Sequence, residues 1–143
     1  MMSKIFLDTN ILIYALDQAD PGKKIKARSL LRSIVDEGRT GVISTQVLQE
    51  FYVASTCKLN LDPLQVKAIM RTFDELEIVS VTPGLIQDAI DCGIINRLSF
   101  WNALIIIAAE SACCEKVWTE NLNHGQVIRG VRVENPFRQG RMR

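Results

Sequence analysis

Short apolar runs alternate with stretches of helical periodicity along almost the whole chain, and that alternation leaves few folds open. Lys4-Ile5-Phe6-Leu7 reads as a buried strand ending at Asp8. Gly41 to Ser44 reads as a second strand, Ile78 to Val81 as a third, Lys116 to Thr119 as a fourth and Val131 to Glu134 as a fifth. Between them lie helical patterns. Asn10 to Leu16 is a short one, stopped near Asp20-Pro21-Gly22. From Lys23 to Glu37, the residues Ala27, Leu30, Leu31, Ile34 and Val35 share one face, and Gly38 follows as a stop. Ser44 or Thr45 caps a helix to about Cys57, and another begins after Asp62-Pro63 with Val66, Ile69, Met70 and Phe73 inward. Thr82-Pro83 opens a helix that buries Leu85, Ile86, Ala89 and Ile90, and Ser99 caps the most apolar helix, to about Cys113. Strands separated by helices predict an α/β protein: a central parallel sheet of four to five strands covered on both faces, in one domain over residues 1–143 with a basic tail from about 136.

Composition removes several classes. The 143 residues are one domain's worth, and 48% hydrophobic with 23% charged residues is ordinary globular usage. Ala103 to Ala109, the longest apolar run, falls far short of the ~20 residues of a membrane span. The start, Met1-Met2-Ser3-Lys4, runs into a short apolar segment broken by Asp8, which is no signal peptide, so a cytoplasmic protein is expected. Cys57, Cys92, Cys113 and Cys114 show no CxxC spacing and His124 stands alone, against a common zinc site and in favour of small reduced core thiols. A net charge of +1 excludes a strongly basic coat but not a local basic patch.

In open parallel sheets the ligand site lies beyond the carboxyl ends of the strands. Four polar positions fall there or face inward nearby. Asp8 ends the first strand, followed by Thr9-Asn10, and reads as a helix cap or a site acid. Glu50 lies about 60° round its helix from Val47, bordering the buried face, where a carboxylate pairs with a base or faces a pocket. Asn102 shares a face with Ile105, Ile106 and Ala109, so its amide either closes the helix's first turn or has a role. Asn121 follows the fourth strand, as a loop residue or a site amide, beside Glu120. Two acids and two amides at one place suit a hard cation, Mg²⁺ or Mn²⁺. Two such ions serve phosphodiester hydrolysis, one activating water and the other steadying the leaving oxygen.

Four stretches, in this order and spacing, carry a family likeness: Ile5-Phe6-Leu7-Asp8-Thr9-Asn10-Ile11-Leu12, Val47-Leu48-Gln49-Glu50-Phe51-Tyr52, Leu98-Ser99-Phe100-Trp101-Asn102-Ala103-Leu104-Ile105 and Trp118-Thr119-Glu120-Asn121-Leu122-Asn123-His124-Gly125-Gln126. From Lys4 to about Phe137 the chain resembles the PIN-domain family, and within it the small VapC-type toxins of prokaryotic toxin–antitoxin pairs. The resemblance implies a three-layer α/β/α domain and a Mg²⁺- or Mn²⁺-dependent endoribonuclease. It implies a homodimer neutralised by a small antitoxin that inserts near the active site. Asp8 is then the first metal-binding acid and Glu50 the second, while Thr9 and Asn10 orient Asp8 or the substrate.

The chain departs from that pattern where the family usually carries aspartate: Asn102 and Asn121. Asparagine keeps the shape of aspartate but loses its charge, so the cluster carries about −2 where four carboxylates carry about −4. Three readings stay open: a naturally weakened nuclease, an engineered inactive form, or an active one with Glu120 as substitute ligand. The alternative function is a non-catalytic PIN fold that binds RNA or an antitoxin-like partner. RNA binding draws on phosphate neutralisation, for which Arg138 and Arg141 in the tail are candidates, and on the aromatics Phe51, Tyr52, Phe100 and Trp101 as stacking platforms or core residues.

Overall fold

The computed structural model describes residues 3–138, and Arg141 of the tail lies outside them. The elements are β1 (Lys4–Leu7), α1 (Thr9–Tyr14), α2 (Pro21–Asp36), β2 (Thr40–Ser44), α3 (Thr45–Cys57), α4 (Pro63–Arg71), a 3-10 turn (Thr72–Glu75), β3 (Glu77–Val79), α5 (Pro83–Asn96), α6 (Phe100–Ser111), β4 (Lys116–Trp118), β5 (Val127–Ile128) and β6 (Val131–Glu134). One sheet runs in the order β3-β2-β1-β4-β6-β5. All neighbours are parallel except β5 and β6. Helices α1 to α4 pack among themselves and α5 packs on α6, with members of each group against the sheet. This is the expected three-layer α/β/α sandwich, with one strand more than expected.

The additional strand is β5. Its two residues are too few to show a period, and the tight turn into β6 is Arg129-Gly130 rather than an Asn-Gly signal. Both turn residues adopt the positive φ such a hairpin needs, 50° and 82°.

Several boundaries differ from expectation for local reasons. Asp20-Pro21-Gly22 opens α2 instead of ending α1: Asp20 Oδ1 accepts from the Lys23 N–H at 3.1 Å, and proline sits at the helix start, where its missing N–H costs nothing. On α2 only Ala27 and Ile34 are fully buried, and Val35, 75% exposed, leaves the expected face. On α5, Ala89 and Cys92 carry the burial while Ile90 turns outward. Ser44 is the α3 cap, and Thr45 Oγ1 instead accepts from Val81 N–H at 3.1 Å, tying α3 to the chain leaving β3. Cys92 and Cys114 are buried, but Cys57 and Cys113 are exposed, against the expectation of four core thiols.

The core is built on β1 and α6. Ile5, Phe6 and Leu7 are fully buried, and so is every residue from Ala103 to Ala109, because α6 is covered by the sheet on one side and α5 on the other. The chain adds β2 and β3 on one side of β1, then crosses to place β4 on the other. Strand order therefore reverses between β1 and β4, which opens a crevice at their carboxyl ends. No single helix among the described residues is long and apolar enough to cross a membrane.

Ile106→Ala is expected to cost about 2–5 kcal/mol, read as a lower denaturant midpoint with unchanged slope. Val35→Ala, on the face the periodicity wrongly assigned to the core, is expected to stay within about 0.5 kcal/mol of the parent.

Candidate active site

Asp8 stands where β1 ends and α1 begins, and it does both jobs that the sequence left open. It is the N-cap of α1, with Oδ1 accepting from the Thr9 N–H at 2.7 Å. Its backbone N–H donates to Trp118 O at 3.1 Å, fastening the end of β1 to the end of β4. Oδ2 accepts from the Thr119 hydroxyl at 2.6 Å and from the Asn121 side-chain amide at 3.3 Å. The carboxylate is buried, with residue exposure of 5%. Burial pushes its pKa above the usual aspartate range, against the pull of the Thr119 and Thr9 hydrogen bonds, and nearby Glu50 pushes it further.

Glu50 reaches the same place from α3. Thr9 joins the two acids: its N–H serves Asp8, and its hydroxyl donates to Glu50 Oε1 at 2.6 Å. Gln46, one turn before Glu50, donates to Glu50 Oε2 at 3.2 Å and to Trp101 O at 3.5 Å. Because both partners are acceptors, the amide orientation is determined, and Gln46 Oε1 is left buried without a hydrogen-bond partner among the described residues.

Asp8, Thr9, Asn10, Gln46, Glu50 and Asn121 line one cavity of about 640 Å³. Its lining also includes Val53, Cys57, Lys58 and Trp101, a residue 61% exposed. Asn102 lies next door. Its N–H donates to the Ser99 cap at 3.2 Å, and its side chain lines a second, smaller cavity, with Asn121 common to both. Glu120 is turned elsewhere: Tyr14 donates to Oε1 and Lys23 to Oε2 at 2.8 Å, with the ammonium also 4.5 Å above the Tyr14 ring. Nothing in this arrangement brings Glu120 to the acids as a substitute ligand. Arg138 is exposed near the end of the described chain, and His124 accepts from Asn135 N–H at 3.0 Å. Of the aromatics, Phe51 is core and Trp101 is the one at the cavity.

Sequence reasoning passed over Thr119, Gln46 and Lys58 as site residues. Gln46 was findable, since it sits four residues before Glu50 on one helix face. Thr119 carries no such signal, because its role depends on β1 and β4 lying side by side.

The donor chemistry can be tested against a hard divalent cation. Asp8 and Glu50 offer carboxylate oxygens, and every hydrogen bond made to them comes from a neutral group. A buried carboxylate beside a half-buried one, with no basic group hydrogen-bonded to either among the described residues, is costly alone and is the setting in which a cation binds. Mg²⁺ needs only one or two carboxylates when water and phosphate complete its shell. Among the described residues, however, no group of three or more His, Cys, Asp or Glu side chains converges on one point. The residues fit one such ion and lack the carboxylates for a second.

The chain matches the PIN domain family over residues 5–129 and belongs to it. Solved structures with a similar fold include a toxin–antitoxin complex from Klebsiella pneumoniae, at 21% identity and a TM-score of 0.68, covering 93% of this chain and 98% of that one. The DNA-bound VapBC of Salmonella typhimurium aligns at 23% identity and 0.66, covering 94% and 99%. VapC20 of Mycobacterium tuberculosis, described as a sarcin–ricin loop cleaving toxin, aligns at 18% identity and 0.64, covering 82% and 91%. No curated protein matches the chain.

Thr119→Val removes the shortest hydrogen bond to a buried charge, so it is expected to lower stability at neutral pH by about 1.5–3 kcal/mol. That bond favours the ionised form of Asp8 and lowers its folded-state pKa. The stability it contributes is present while Asp8 is ionised and is lost as pH falls through the Asp8 titration. Denaturant midpoints of the two proteins should therefore converge in acid.

Proposed function

We propose that this PIN-domain protein is a VapC-like toxin, a Mg²⁺- or Mn²⁺-dependent endoribonuclease weakened by asparagine at two positions where the family usually carries aspartate. The observation that carries this reading is the pairing of Asp8 and Glu50 through Thr9, two carboxylates in one cavity hydrogen-bonded only to neutral groups. The solved toxin–antitoxin relatives support it through their shared fold.

In this reading Asp8 and Glu50 would hold the ion, and Thr9 and Gln46 keep the Glu50 carboxylate in place. When bound, the ion supplies Lewis acidity toward a phosphate oxygen and lowers the pKa of a water. Asn10 and the exposed Trp101 ring contact the RNA, the ring by stacking an unpaired base. Lys58, which also lines the cavity, offsets the charge of a neighbouring phosphate. No covalent enzyme intermediate forms. A small antitoxin and a second copy of the chain are the proposed partners, in a cytoplasmic setting, with Arg138 and Arg141 adding phosphate contacts.

The second reading is a PIN fold that binds RNA or an antitoxin-like partner without turnover. One contact favours it: Asn121 gives Asp8 an N–H donor, occupying a carboxylate lone pair.

Cleavage of single-stranded RNA with Mn²⁺ or Mg²⁺, against an EDTA control, separates the two. The ribonuclease reading expects weak metal-dependent cleavage, abolished in Asp8→Ala and raised at least about tenfold in Asn102→Asp, Asn121→Asp. Cleavage that survives EDTA or Asp8→Ala contradicts the roles assigned here, and no cleavage by either the parent or the double variant favours the binding protein.

A further inference from the structure

The cavity beside the acid pair has an unusual lining for the neighbour of a cation site. It holds about 270 Å³ and is walled by Arg97, Ser99, Asn102, Asn121, Asn123 and Gln126, with no carboxylate among its lining residues. Arginine offers up to five N–H donors and each amide two. Ser99 Oγ already accepts from the Asn102 N–H, which leaves its hydroxyl hydrogen to donate. Asn121 uses one amide hydrogen on Asp8 and keeps the other. Amide carbonyls alone would tolerate a cation, but Arg97 is the one charged residue among those lining this cavity, and its charge is positive. The lining thus differs in charge from that of the Asp8–Glu50 cavity, with Asn121 common to both and its amide turned to Asp8.

We propose that this amide-and-arginine cavity is an anion subsite that takes a backbone phosphate of RNA, adjoining the acid pair. The naming of RNA rests on the ribonuclease reading; the anion chemistry rests on the cavity alone. Arg97 supplies the charge and the fork-shaped donor that matches phosphate oxygens. Asn102 and Asn121 contribute donors where aspartates would repel the same group. The two asparagines thus exchange affinity for a second cation for affinity toward the substrate's own charge.

Arg97 also provides a clean variant. It ends α5 in the left-handed conformation, φ 57° and ψ 47°, which glycine adopts without the Cβ clash. Arg97→Gly therefore removes the guanidinium while keeping the helix end.

The test is anisotropy of a fluorescein-labelled single-stranded oligoribonucleotide in EDTA over a salt series, paired with ¹⁵N NMR during titration with inorganic phosphate. Arg97→Gly is expected to weaken RNA binding about tenfold and to flatten the log K against log salt slope by about 0.7, one phosphate contact. Asn102→Asp, Asn121→Asp should also weaken metal-free RNA binding. Phosphate should shift the Asn102 and Asn121 side-chain amides in the parent and not in Arg97→Gly. If phosphate shifts those amides but RNA does not bind, the anion subsite stands and the ribonuclease reading falls. If RNA binds, and Arg97→Gly leaves its slope and the phosphate response as in the parent, the subsite is refuted and the ribonuclease reading is untouched.

Discussion

A buried carboxylate at the end of a central strand has to be held by something, and here the holding organises the site. Asp8 follows three fully buried residues of β1, so its backbone position is set by the core. Its side chain then gathers Thr9 from its own helix, Thr119 from the end of β4 and Asn121 from the loop beyond. Thr9 extends the network to Glu50 on α3, and Gln46 extends it to the first turn of α6 through Trp101 O. Three parallel strands and their following segments thus converge through hydrogen bonds on one pair of acids. The reversal of strand order between β1 and β4 makes that convergence possible, because it opens a crevice at their carboxyl ends.

The network also explains why lost charge does not mean lost structure. Asn102 closes the first turn of α6 through its backbone N–H on Ser99, which needs no side-chain charge. Asn121 donates to Asp8, and an aspartate there would place a third carboxylate against an already desolvated one. Without metal, asparagine is the easier neighbour. A cation held by the acid pair would lose, for each absent carboxylate within about 4 Å, an attraction of order 4 kcal/mol per unit charge at an effective dielectric near 20. In the proposed reading, Asn121 relaxes the metal-free protein and both asparagines would weaken its hold on a cation.

Much of the fold was legible because the alternation of apolar runs and helical faces follows the strand–helix repeat so closely. Asp8 and Glu50 were legible as a pair, one at a strand end and one on the edge of a buried helical face. What the sequence could not convey depended on contacts between distant segments. Thr119, one residue past β4, is an ordinary strand-end residue until β4 lies beside β1. Glu120 was a natural candidate ligand by proximity to Asn121, yet consecutive side chains diverge, and Lys23 and Tyr14 wait on its side. Strand β5 was missed because two residues have no periodicity, and Val35 and Ile90 because a helical stripe wider than its contact surface leaves its edges in water.

In the proposed reading one acid pair, Asp8 and Glu50, and not a four-carboxylate cluster, would hold the ion. Calorimetric titration with Mn²⁺ counts the consequence directly. The parent should bind no more than one ion per chain, and Asn102→Asp, Asn121→Asp should bind more tightly and take up a second. Two ions bound by the parent with the affinity of the double variant would overturn that reading, because the asparagines would then be serving as well as aspartates.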